Sequence, residues 1–140
     1  ASRPGRPHRF CQRPMKNTIT CLCLSVCALS AQAEWLLYGD NGKAAFYYDP
    51  ASVNTQQGRV TVLEMLDYSF PLNRVLSAKT HKEFDCEKQK FRNLSGEFFA
   101  GHMLSGERIS GSDTPDEDWR EAVQGTRNLE LLQLLCPKIS

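Results

Sequence analysis

A short apolar stretch near the N-terminal end, Ile19–Leu29, divides this 140-residue chain into two parts of different character. Lys16 precedes the stretch, and Ala31-Gln32-Ala33 follows it with the small-x-small pattern that signal peptidases cleave. A transmembrane helix needs about 20 apolar residues, and this stretch is shorter and interrupted by Thr and Ser. The sequence therefore predicts a signal peptide over residues 15–33, cleaved between Ala33 and Glu34. The alternative is a retained membrane anchor.

Residues 1–14 contain four arginines and three prolines and show no apolar period. Because the positive part of a signal peptide normally begins the protein, we expect this segment to be an extension upstream of the true start at Met15. The alternative is a basic tail for nucleic acid or a membrane, since blocks of like charge often have that role.

The remaining 107 residues, 34–140, are long enough for one hydrophobic core. They contain 12 Lys and Arg and all 16 Asp and Glu, which gives a formal charge of −4. A negative balance argues against nucleic-acid binding as the main activity.

Only two of the six cysteines, Cys86 and Cys136, lie in this exported part. In an oxidising compartment two cysteines most simply form one disulfide, the alternative being two buried free thiols. No C-x-x-C or H-x₃-H spacing accompanies them, so the sequence predicts no metal site. Acylation of Cys27, as in a lipoprotein, is disfavoured because the bulky Val26 precedes it.

Alternating and aromatic-rich runs predict antiparallel strands through most of this domain. Residues 34–38 and 44–48 should form a hairpin, because Asn41-Gly42 supplies the positive φ angles of a tight turn. Residues 59–70, closed by Pro71, have apolar residues on both faces, which indicates cover on two sides or a bulge. In residues 75–86 the set containing Phe84 and Cys86 should face the core. Further strands are predicted at 91–94, 97–103 and 107–110.

The last thirty residues have helix signals. Thr114-Pro115-Asp116-Glu117 has the form of a capping box and predicts a short helix that carries Trp119 and ends near Gly125. Thr126 should cap a second helix, in which Leu129, Leu132 and Cys136 recur at spacings of three and four. This C-terminal helix should pack on the sheet and be held there by Cys136.

Few residue patterns indicate a catalytic, metal-binding or phosphate-binding site. The acidic cluster at 113–118 lacks the spacing of an EF-hand loop, and acidic residues are in any case favoured in the first turn of a helix. His81 and His102 do not belong to a nucleophile motif, and no glycine-rich phosphate loop is present. We therefore predict no catalytic residue, no cofactor and no metal.

Positive charge is concentrated in one part of this acidic domain and forms a candidate partner-binding site. A local charge opposed to the net charge suits docking of an acidic partner or a polyanion. The alternative is a solvated strand edge, where lysines discourage aggregation. The residues are Lys79, His81, Lys82, Lys88, Lys90 and Arg92.

Several short segments together resemble the surface-adhesin protein E family of Gram-negative bacteria, over nearly all of residues 34–140. The segments are Trp35, Tyr48–Val53, Leu66–Tyr68, Ser77–Lys79, Phe84–Cys86, Met103 with Gly106, and Trp119 leading to Cys136.

The resemblance implies an α+β fold in one small domain, with an antiparallel sheet of about six strands and a C-terminal helix packed on it. It also implies export to the periplasm or outer surface, contact with the membrane only during export, and no enzymatic activity. The partner would be a protein, such as an extracellular-matrix or envelope protein. A periplasmic small-ligand binder or enzyme with an unrecognised site is the alternative.

Overall fold

The computed structural model describes residues 32–138. Residues 1–14 and nearly all of the predicted signal peptide lie outside this part. The elements of the described part are β1 (Leu36–Asp40), β2 (Ala44–Tyr48), β3 (Asn54–Gln56), β4 (Arg59–Leu72), β5 (Val75–Asp85), β6 (Lys90–Phe99), β7 (Arg108–Ser112), β8 (Arg120–Glu121) and α1 (Arg127–Leu135). Two 3₁₀ turns, Pro50–Ser52 and His102–Leu104, connect strands.

The strands form one antiparallel sheet in the order β1-β2-β4-β5-β6-β7. The short strand β3 pairs with β4, and β8 pairs with β6. This arrangement confirms the predicted fold class, which is a sheet of about six main strands with one C-terminal helix. Neither β3 nor β8 was predicted, since each is only two or three residues long.

The first hairpin is confirmed, and its turn uses only one positive φ angle. Gly42 has a φ of 78°. The side chain of Asn41 contributes in another way, because its Oδ1 accepts hydrogen bonds from the backbone N–H groups of Lys43 and Ala44, both at 2.9 Å. At the end of β2, Asp49 caps the turn Pro50–Ser52 by accepting a bond from the N–H of Ala51 at 3.0 Å.

Two strands are longer than predicted. β4 continues through Pro71 to Leu72, because its register with β5 shifts between Asp67 and Leu72 and no ladder bond is needed from the proline. β6 runs without interruption through Gly96 to Phe99, so two of the predicted short strands are one. The chain then turns at His102–Leu104, where the sequence predicted a strand.

The predicted helix at 114–125 is wrong. This segment is irregular except for the two residues of β8. Asp116 is bound to the sheet instead: its N–H donates to the carbonyl of Asn93 at 2.8 Å, and its Oδ2 accepts from the N–H of Asn93 at 3.1 Å. The N–H and the carboxylate of Asp116, which the predicted helix would have used in its first turn, are therefore bonded to the sheet instead.

The core lies between α1 and one face of the sheet, which we call the covered face. Val62, Phe84 and Phe91 on this face pack with the buried leucines of α1, which are Leu129, Leu131 and Leu132. Beyond the helix, Cys136 is bonded to Cys86 at the end of β5, with the two Cα atoms 5.7 Å apart. The predicted disulfide is confirmed.

β4 is covered on both sides at its centre and also contains a register shift, so both of the alternatives for this strand apply. Glu64 on the covered face and Met65 on the opposite face are both buried. On the side of Met65, the turn His102–Leu104 packs against the strand, and Asp67 Oδ1, which is on the same face as Met65, accepts a bond from the N–H of Met103 at 2.8 Å.

Candidate binding surface

The side of the sheet opposite α1, which we call the charged face, carries acidic and basic side chains in cross-strand pairs. Antiparallel pairing places residues that are directly opposite on the same face. Lys79 on β5 lies opposite Glu97 on β6, and Glu83 lies opposite Arg92. Asp85 lies opposite Lys90 in the same way. Four of the candidate residues, Lys79, His81, Lys90 and Arg92, are therefore together on one surface.

The cations of the charged face are paired with carboxylates. Lys79 Nζ lies 2.7 Å from Glu97 Oε2, and Arg92 Nε lies 2.9 Å from Glu83 Oε1. Lys90 Nζ is 3.5 Å from Glu121 Oε1. Hydrogen bonding from Lys79, assisted by Arg108, holds the pKa of Glu97 below its usual range. The surface is thus a network of mixed charge, not the uniformly basic patch that the sequence indicated.

The other two candidate residues lie elsewhere. Lys88 is in the turn between β5 and β6, where its N–H donates to Asp85 Oδ1 at 3.0 Å. Lys82 is not part of the charged face, because alternation along β5 places it with Phe84 on the covered face. It is buried there, with its Nζ 2.5 Å from Glu64 Oε2 and 2.6 Å from Asn128 Oδ1.

Two cation–π contacts that the sequence did not reveal join Trp119 to arginines of the charged face. The guanidinium carbons of Arg59 and Arg92 both lie over the ring of Trp119, each 4.8 Å from its centroid. Glu83 Oε1 is within ion-pair distance of both arginines. We call these four residues the Trp119 cluster. The sequence placed Trp119 on a helix, and the true contacts depend on β8 pairing with β6.

The buried charges on the covered face, Glu64 and Lys82, form a separate network. The hydroxyl of Tyr38 donates to Glu64 Oε1 at 2.5 Å, while Lys82 holds the other carboxylate oxygen. Burial, and then the negative charge of Glu64, raise the pKa of Tyr38 far above its usual value. Since Lys82 also bonds Asn128, this network connects the sheet to α1. Its role is to hold α1 on the sheet.

Among residues 32–138, no group of three or more His, Cys, Asp or Glu side chains is arranged to hold a metal ion. None of the helices described there has the length and hydrophobicity of a membrane span.

The family model of surface-adhesin protein E matches residues 35–137. No curated protein sequence matches the chain significantly. Among solved structures, the selenomethionine form of Haemophilus influenzae protein E is similar, with a TM-score of 0.58 at 14% identity over 75% of this chain and 87% of that chain.

Two more structures agree with this match. Crystal form II of H. influenzae protein E has a TM-score of 0.57 at 15% identity, over 75% of this chain and 88% of that chain. Protein E from non-typeable H. influenzae has a TM-score of 0.53 at 11% identity, over 75% of this chain and 85% of that chain. These structures establish the fold, and the family model covers most of the sequence. The chain belongs to the surface-adhesin protein E family.

Proposed function

We propose that residues 34–140 form an exported, non-enzymatic module of the Gram-negative envelope that binds a protein partner through its charged face. Membership of a surface-adhesin family supports an envelope location and a binding role. The partner is an extracellular-matrix or envelope protein. The Trp119 cluster is the observation that carries the proposal.

Trp and Arg are the side chains most enriched among the residues that dominate binding energy in protein interfaces. Here Trp119 is half-buried and is already held by Arg59 and Arg92 before any partner arrives. Side chains that are ordered in advance lose less conformational entropy on binding. A fixed aromatic ring with two guanidinium groups therefore suits an anchor point for a partner that presents carboxylates and apolar groups.

The candidate lysines outside the Trp119 cluster have a secondary electrostatic role. Lys88 has no carboxylate within ion-pair distance among residues 32–138, so its charge remains available to an acidic partner. Lys79, Lys90 and Arg92 are already neutralised by neighbouring carboxylates. We therefore expect the Trp119 cluster to provide most of the affinity, and Lys88 to add a smaller attraction that salt screens.

The test is binding of the purified domain to a panel of immobilised extracellular-matrix and envelope proteins, measured by biolayer interferometry. Trp119→Ala should weaken binding by about tenfold or more, which corresponds to the loss of at least about 1.4 kcal/mol. Val123→Ala is the matched control, since Val123 is an exposed apolar residue in the same segment. It should bind as the wild type does. A wild-type domain that binds no member of the panel, or a Trp119→Ala variant with full affinity, would contradict the proposal.

A charge variant tests the secondary role. Lys88→Glu should weaken binding a few-fold, and added salt should cause a loss of similar size, because exposed charges are screened beyond about 8 Å at physiological ionic strength. Glu130→Lys on α1 is the control and should have little effect, since it lies away from the charged face. An effect of Lys88→Glu that persists unchanged in high salt would exclude electrostatic attraction at this position.

A further inference from the structure

The covered face extends beyond the helix, and there it forms a polar trough. The register of β5, β6 and β7 places two rows of side chains across this region: Thr80, Gly96 and Ser112, then Ala78, Phe98 and Ser110. The preceding row, Lys82 and Asn93, lies next to α1, because Lys82 bonds Asn128. The trough is an open cavity of about 300 Å³, and residues 114 and 116 line one side.

The polar groups that line this cavity are almost all neutral. They are the hydroxyls of Thr80, Ser110, Ser112 and Thr114 and the amide of Asn93. The one charged lining residue, Asp116, is paired with Arg120 at 2.7 Å. Asn93 Oδ1 is buried and has no hydrogen-bond partner among residues 32–138, which is uncommon for a buried polar atom. The site therefore offers many hydrogen bonds and little net charge.

Gly96 leaves the centre of the trough open. A Cβ atom at this position would meet only the backbone oxygen of Lys79, at the ordinary contact distance of 3.9 Å, and its φ angle is not positive. The backbone would thus accept other residues, and glycine in a strand costs about 0.5–1 kcal/mol relative to alanine. The structural effect of glycine here is the space between Thr80 and Ser112.

An aromatic ring forms the wall beside that space. Phe98 is 39% exposed, which is unusual for phenylalanine on the core side of a sheet. On its other side, Phe98 and Ser110 also line a second cavity of about 270 Å³, together with Tyr68 and Leu72. The trough consequently has two adjacent compartments that share the ring of Phe98.

We propose that this trough binds a neutral glycan, with one sugar ring over Gly96 and packed against Phe98. A sugar ring has hydroxyls at its rim and C–H groups on its faces. Hydroxyl and amide side chains can both donate to and accept from the rim, and the electron-rich face of an aromatic ring suits the C–H groups. An apolar peptide would leave the lining hydroxyls without partners, at a cost in free energy. An anion would find no free cation among the lining residues.

The proposal is tested on an array of neutral oligosaccharides with terminal glucose, galactose and N-acetylglucosamine. The retained oligosaccharide is then titrated into isotope-labelled domain and followed by NMR. Amide shifts should change at Gly96, Phe98 and Ser110. Gly96→Val should lower the affinity at least tenfold and leave the melting temperature the same or higher, because a β-branched residue suits a strand. Phe98→Ala should also weaken binding.

Phe70→Ala is the matched control, since Phe70 is the most exposed large apolar residue and lies outside both compartments. It should bind the oligosaccharide normally, as should Trp119→Ala, whose site is on the other face. The inference is overturned if the wild type retains no oligosaccharide, if Gly96→Val and Phe98→Ala both bind normally, or if the shifts map to the charged face. A peptide is the other possible occupant of the trough. The inference is also overturned if Gly96→Val abolishes the binding of an extended peptide and the glycan does not compete with that peptide.

Discussion

Lys82 shows how much a single buried charge can depend on its partners. Its ammonium group lies between Glu64 on β4 and Asn128 on α1, and Glu64 is in turn bonded by Tyr38 on β1. Both charges are almost inaccessible to water. A buried ion pair adds little net stability, but removal of one member leaves the other charged and unpaired in the interior. The free energy of unfolding should therefore fall when Lys82 or Glu64 alone is replaced by a neutral residue. It should change less when both are replaced together.

The first prediction follows from that asymmetry. Lys82→Met should lower the free energy of unfolding by about 3–5 kcal/mol, measured by urea denaturation. The double variant Lys82→Met/Glu64→Gln should recover most of the loss, because the glutamine is neutral and can still accept the hydrogen bond from Tyr38. A loss below about 1 kcal/mol in the single variant, or no recovery in the double variant, would show that the pair is not structurally important.

The second prediction concerns alkaline pH. Burial and the charge of Glu64 raise the pKa of Tyr38 above the unfolded value of 10.0. The native state therefore favours the neutral phenol, so its stabilisation is full below the unfolded pKa and is lost as pH rises above that value. Near-ultraviolet titration of tyrosinate should show fewer than four of the four tyrosines ionising before the domain unfolds. In Tyr38→Phe the late-ionising fraction should fall by one tyrosine and not to zero, because burial and the charge of Glu64 also raise the pKa of Tyr68. Complete titration of the folded wild type would refute this assignment.

At the scale of elements, α1 depends on tertiary contacts more than on its own sequence. It has nine residues, and isolated helices shorter than about 12–15 residues are marginal in water. Thr126 occupies the N-cap position but does not cap, because its hydroxyl donates to the carbonyl of Val123 at 2.6 Å. The helix is thus held by burial of its leucines and by the disulfide at Cys136.

The third prediction is that the disulfide supplies a large share of the stability. It joins residues 50 apart, for which chain entropy gives roughly 4 kcal/mol as an upper figure. The double variant Cys86→Ala/Cys136→Ala should unfold at a markedly lower temperature under oxidising conditions. Thr126→Ala is the control and should change stability by less than about 0.5 kcal/mol, since no cap is lost. Equal melting temperatures with and without the bond would contradict this account of α1.

At the scale of the whole molecule, the two faces of the sheet have different surfaces. The charged face centres on an aromatic ring with two guanidinium groups, and the covered face beyond α1 presents hydroxyls around Phe98. The sheet separates the two, so one variant should not disturb both. This independence allows a protein partner and a glycan to be tested separately in the same domain.

The fourth prediction concerns the exported form of the protein. If residues 15–33 are a signal peptide, the intact mass of protein recovered from the envelope should correspond to a chain that begins at Glu34. Ala33→Leu should impair cleavage and leave a larger, membrane-associated precursor, because signal peptidases require small residues at that position. Recovery of wild-type protein that retains Met15, or that carries acyl chains on Cys27, would refute the predicted cleavage.

Features that depend on local geometry or on elimination could be predicted from the amino-acid sequence. The turn at Asn41-Gly42 fixes the first hairpin, because few residues tolerate a positive φ angle. The alternation along β5 places Lys79 and Lys82 on opposite faces, because successive side chains of a strand point to opposite faces, although their shared charge put both in one candidate site. The disulfide follows from there being only two cysteines in residues 34–140.

Contacts between residues distant in sequence could be known only from the three-dimensional fold. Asp116 pairs with Asn93 across the sheet, and this contact outweighs the helix signal at Thr114. The same segment then brings Trp119 to Arg59 and Arg92. Local sequence sets φ, ψ and side-chain direction, but the register and bulges of long-range strand pairs are fixed by packing of the whole sheet. Both candidate binding sites are built from such pairs.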